Sequence, residues 1–120
     1  MSEEKLSYTI WRDRYALKDP EGNVLETSIN ETWKRVATAV ASAEKHPTQQ
    51  RGWSDTFYDA LNQGYLVPGG RIIAGAGSGF DVTLMNCYVT DYPHDSRQGV
   101  LTTVAQLTEM MSRGGGVGVN

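Results

Sequence analysis

Apolar residues in the first half of the chain recur at helical spacing. Ile29, Trp33, Val36, Ala37, Val40 and Ala43 fall on one face of a helix, and Lys34, Arg35, Glu44 and Lys45 read as its solvated side. Ser28-Ile29-Asn30-Glu31 fits a capping box, in which hydroxyl and carboxylate each satisfy an orphan backbone amide, so the helix is predicted to start there. His46-Pro47 ends it, because proline disfavours helix in the residue before it. A shorter helix is predicted from Ser54 as N-cap, with Trp53 as a hydrophobic staple, Phe57, Ala60 and Leu61 turned inward, and a stop at Gly64. Ahead of both, residues 1–27 mix polar positions with Tyr8, Trp11 and Tyr15, an arm that packs its rings onto something larger. Within it, Lys18-Asp19-Pro20-Glu21-Gly22-Asn23 is a turn.

The pattern changes after Val67. Pro68 to Gly79 is dense in glycine, which loses the most backbone entropy on ordering, so irregular chain lying close to something is expected there. Leu84 to Thr90 then reads as a buried strand carrying Cys87. Asp95-Ser96-Arg97-Gln98 resembles a second capping box with Asp95 as cap. The helix it opens turns Val100, Val104, Leu107 and Met111 inward, uses Met110 and Met111 as core fillers, and ends near Gly114. Neither an internal repeat nor a linker divides the chain. Residues 1–67 form a mainly helical region, and residues 68–120 form the second part of one α/β unit.

Composition narrows the function classes. The 120 residues are 39% hydrophobic and 21% charged, as in an ordinary globular domain. A net charge of −3 and a pI near 5.3 give no footprint for a phosphate backbone, so nucleic-acid binding is not expected. The apolar runs fall short of the roughly 18 residues a membrane span needs, and the acidic start Met1-Ser2-Glu3-Glu4-Lys5 does not read as a leader, which points to a cytoplasmic protein. One cysteine excludes an internal disulfide and a multi-thiolate metal site. Any dithiol chemistry at Cys87 needs a sulfur from another chain.

The candidate chemistry is sparse. A lone cysteine in an apolar strand reads first as a small core hydrophobe, and for Cys87 the polar amide of Asn86 and the glycine-rich backbone nearby weaken that reading and leave a reactive thiol open. His46 and His94 have no second ligand at metal spacing. The terminal Gly114-Gly115-Gly116-Val117-Gly118 follows a helix instead of preceding one, so it departs from the dinucleotide fingerprint and stands as either a flexible tail or a binding loop. Asp95 and Ser96 cap a helix, and the amides they leave pointing outward are able to meet an anionic or hydroxyl-bearing ligand.

Taken in order, Trp11-Arg12-Asp13-Arg14-Tyr15, Thr32-Trp33-Lys34-Arg35-Val36-Ala37, Pro68 to Gly77, Asn86-Cys87-Tyr88-Val89, Asp95-Ser96 and Gly114 to Gly118 resemble the N-terminal part of a ribonucleotide reductase large subunit. The likeness is greatest to the class II, adenosylcobalamin-dependent enzymes. It implies a helical N-terminal region followed by the first strand and helix of a ten-stranded α/β barrel. On that resemblance Cys87 is one of two redox cysteines. Asn86 and the backbone of Gly116 lie against the substrate, the segment around Arg71 approaches its diphosphate, and Asp95, Ser96 and Arg97 open the helix of the specificity effector site. Arg71 is equally readable as a salt-bridging surface residue.

The implied ligands are a ribonucleotide, a dNTP or ATP effector and adenosylcobalamin, with a thioredoxin- or glutaredoxin-type reductant. The family's radical cysteine, second redox cysteine and C-terminal cysteine pair have no counterparts among these residues. The resemblance therefore implies a split enzyme completed by the remaining reductase chain. A non-catalytic, regulatory or small nucleotide-binding module derived from the same fold is the alternative.

Overall fold

The computed structural model describes residues 3–119; Met1, Ser2 and Asn120 lie outside them. Two compact units divide the chain at Gly79 and Phe80.

The first unit is helical: α1 (Glu3–Arg14), α2 (Ile29–Ala41), α3 (Pro47–Asn62) and α4 (Gly70–Gly75). The expected aromatic arm is largely α1, with Arg12 and Arg14 in its last turn, where cations suit the helix dipole. The turn at 18–23 is present. Asp19 accepts from the backbone N–H of Asn23 at 2.7 Å, Gly22 takes φ +89°, and Lys18 bridges Val24 in antiparallel fashion.

The boundaries of α2 and α3 differ from the sequence reading. Ser28 is the N-cap of α2 but its hydroxyl makes no capping bond, and Glu31 reaches one residue further back, accepting from the backbone N–H of Thr27 at 2.6 Å. Pro47 does not close α2. It opens α3 at the first helical position, where its missing N–H costs nothing, and Ser54 becomes an interior residue sharing a 3.2 Å hydroxyl contact with Thr38 of α2. Trp53 stacks on Phe57 one turn away, at 5.4 Å between ring centroids.

Between α2 and α3 lies the core. Val36, Ala37, Leu61 and Ala76 are buried, with Trp33, Phe57, Tyr58 and Ile72 packed around them. Ile29, Val40 and Ala43, predicted to face inward, are exposed. The buried face is instead set by Thr32, Val36, Ala37 and Ala41.

The glycine-rich segment, expected to be irregular, contains the short α4. Its interior residues, Arg71 to Ala74, are free of glycine, and packing of Ile73 and Ala76 supplies what propensity does not. A polar node ties the unit together. Trp11 Nε1 donates to Thr32 Oγ1 at 2.9 Å, Thr32 donates to Glu26 at 2.6 Å, and the Leu17 amide donates to the same carboxylate at 2.8 Å. Arg35 pairs with Glu26 at 2.7 Å, with side chains only 10% and 7% exposed. Arg35, read from sequence as solvated, is therefore interior. The Pro68 to Gly77 run, the Trp11 segment and the Thr32 segment meet at this node.

The second unit is β1 (Cys87–Val89), α5 (Arg97–Ser112) and β2 (Gly116–Gly118). The two strands are parallel, and parallel neighbours require a crossover, here α5. Only three of the seven residues expected as strand pair, and Val89 is 92% exposed. Val100, Val104 and Met111, predicted to face inward, are also exposed, while Thr103 is buried. The described residues of this unit hold no second layer to cover that stripe. Ser96, not Asp95, caps α5, its Oγ accepting from the Gly99 amide at 3.0 Å. Gly114, at φ +91°, ends the helix as expected.

Candidate functional site

Strand register places the cysteine. Cys87 faces Gly116 across the parallel pair, Tyr88 faces Val117, and the Gly116 amide donates to the Asn86 carbonyl at 2.9 Å. Three residues expected at a substrate, Asn86, Cys87 and Gly116, therefore share one corner of the sheet. The thiol is free and exposed, and a Cβ at position 116 would stand 3.5 Å from its sulfur. Glycine at 116 thus keeps open the space beside the sulfur. Exposure removes the alternative in which Cys87 is a buried core hydrophobe within this chain.

The neighbouring glycine has a structural task. A Cβ on Gly115 would lie 2.5 Å from the Tyr88 ring, whose hydroxyl hydrogen-bonds to that of Thr83. The ring fills the corner from below, so the glycines after α5 form a folded loop and not a loose tail. Gly115 further donates to the Met110 carbonyl at 3.1 Å.

Asp95, Ser96 and Arg97 lie at the start of α5. Beside them, a cleft of about 620 Å³ runs between the segment after β1 and the helix, lined by Thr90, Tyr92, His94, Ser96, Gln98 and Gln106 among others. Ser96 enters its wall, whereas Asp95 and Arg97 do not. The polar lining suits hydrogen bonding to a hydroxyl- or amide-bearing ligand. His94 also lines this wall, and its signal in the sequence is position, two residues before the cap.

Arg71 lies on α4, in the first unit, with an exposed side chain. Among the described residues no three His, Cys, Asp or Glu side chains gather as a metal site, and no helix is long and apolar enough to cross a membrane.

A helical unit that ends at Gly79 is matched by the comparison with known families. Residues 1–81 match the ribonucleotide reductase all-alpha domain. The chain belongs to the ribonucleotide reductase large-subunit family. Its matched part ends within two residues of the boundary between the units, and the unit bearing Cys87 follows it. No curated protein matches the chain.

Proposed function

We propose that this chain supplies the opening part of a class II ribonucleotide reductase, working with a separate chain that carries the rest of the barrel. Family membership and the pairing of Cys87 with Gly116 support the reading, and the pairing is the observation that carries it. An exposed thiol flanked by an amide side chain and a bare glycine backbone suits a ribose approaching edge-on.

In this reading Cys87 is half of a dithiol couple. The ribonucleotide loses its 2′-hydroxyl as water, two thiols give up two electrons and two protons, and one disulfide forms between Cys87 and a cysteine of the complementary chain. A thioredoxin- or glutaredoxin-type dithiol then restores both thiols by exchange. Asn86 and the Gly116 backbone hold the substrate, the Arg71 segment meets its diphosphate, and Asp95, Ser96 and Arg97 face a dNTP or ATP effector that selects the base. Adenosylcobalamin, held by the complementary chain, would supply the initiating radical.

The exposed stripe of α5 and the open edges of a two-stranded sheet support the need for a complement, since such surfaces drive association. The test is reconstitution with a chain bearing the remaining barrel. Cys87→Ser is expected to assemble normally and to lose multiple turnover, and full turnover by that variant would defeat the assignment.

A second reading is favoured by one observation: the cleft beside Ser96 is lined entirely by residues 89–110. A stand-alone nucleotide-binding module would use it without a complement. Titration of the chain alone with deoxynucleoside triphosphates separates the two, saturable binding favouring the module.

A further inference from the structure

Arg35 reaches three parts of the first unit from one position on α2. Its Nε donates to Glu26 Oε1 at 2.7 Å, its Nη1 to the Ala76 carbonyl at 2.5 Å, and its Nη2 to the Ile73 carbonyl at 3.1 Å. Glu26 is fixed independently by Thr32 and by the Leu17 amide, so the guanidinium is oriented before it meets α4. The two carbonyls belong to the end of α4, where a helix leaves acceptors without partners of its own and where a cation is favoured.

A helix of six residues bounded by glycines does not persist by itself. The segment after it is shaped around the same arginine: Gly77 takes φ +71°, and a Cβ there would lie 2.9 Å from Arg35 Cγ and 3.2 Å from Ala39 Cβ. A lysine keeps the charge but is a point donor, and it cannot hold a carboxylate and two carbonyls in fixed directions together.

We propose that Arg35, oriented by Glu26, is a positioning residue that latches the glycine-rich segment 70–79 in one conformation. Its consequence for catalysis rests on the reading above, in which that segment meets the substrate diphosphate. A rigid latch there presents the segment to an anionic substrate with its ordering cost already met in the free protein.

Amide hydrogen exchange on the 120-residue chain tests the latch without reference to activity. Arg35→Lys is expected to speed exchange at Ile72, Ile73, Ala76 and Ser78 by about tenfold or more while the interior of α2 and α3 stays as protected as before. Gly77→Ala, which leaves both charges in place and crowds the arginine stem, is expected to act at the same amides. Unchanged exchange at 72–78, or an equal rise across α2 and α3, would overturn the proposal. In the reconstituted enzyme, Arg35→Lys should raise KM for the ribonucleotide more than it lowers kcat. Local exchange as expected with an unmoved KM supports the latch and removes the substrate role of the segment instead.

Discussion

In residues 1–79, Trp11, Val36, Ala37, Leu61 and Ile73 are buried around α2, and the buried carboxylate and guanidinium among them are fully bonded. In residues 80–120, Val89, Val100, Leu101, Val104 and Met111 stand in solvent, and among the described residues the buried side chain is the small polar Thr103. Each stretch carries apolar residues at helical spacing, Ile29 to Ala43 in the first and Val100 to Met111 in the second. The difference is that the helical unit contains both faces of its core, whereas the βαβ unit contains one strand pair and one helix with nothing described on their far sides. An apolar stripe thus reports that a surface is to be covered, and leaves open whether the cover belongs to the same unit.

The sharpest way to break this contrast is at the ion pair. Arg35→Ala leaves Glu26 buried without its cation and is expected to destabilise the first unit by about 3–5 kcal/mol. Denaturant unfolding followed by tryptophan fluorescence reads this unit alone, because Trp11, Trp33 and Trp53 all lie in it. A loss under about 1 kcal/mol would make the pair no more than a surface salt bridge.

Acid attacks the same pair more gently, since protonated Glu26 leaves Arg35 its carbonyl partners. Burial pushes the Glu26 carboxyl up, but hydrogen bonds from Arg35, Thr32 and the Leu17 amide outweigh it and hold the group below its ordinary value. A carboxyl lowered on folding stabilises above its unfolded pKa, about 4.3 for glutamate, and that contribution fades as pH falls through the lower folded value. Stability of the first unit should therefore drop below about pH 4, and Glu26→Gln should flatten that part of the profile. An unaltered profile in the variant would assign the acid sensitivity elsewhere.

The smallest effect belongs to the second unit. Ser96→Ala removes the hydroxyl that caps α5 and should cost about 1 kcal/mol in helix stability, read by circular dichroism during unfolding. Asp95→Ala should cost less, because Asp95 does not bond the helix start. Asp95→Ala is consequently the cleaner probe of the proposed effector response in the proposed two-chain enzyme. A larger loss for Asp95 than for Ser96 would reverse the capping assignment.

Much of the helical unit was legible because its signals are local. The turn at 18–23, the α2 core around Val36 and Ala37, and the stops at Gly64 and Gly114 each follow from a few adjacent residues. Three features were not legible for physical reasons. Pro47 both stops and starts helices, and only packing decides which. The helix inside the glycine-rich run is held by groups far away in sequence, chiefly Arg35. The burial of Arg35 depends on Glu26, nine residues before it, which no helical pattern connects to it. At the candidate site the sequence singled out Cys87 and Gly116, and their pairing is a property of strand register that no short motif encodes. Asp95 and Ser96 look interchangeable as caps on paper; backbone geometry chose the serine.

The contrast between the units is tested most directly by residue-resolved amide exchange on the chain alone and on the chain mixed with its proposed barrel complement. The core amides of α2 and α3 are expected to be protected in both samples, while those of β1, α5 and β2 become protected only in the mixture. Strong protection of α5 and the strand pair in the chain alone, unchanged by the complement, would contradict it.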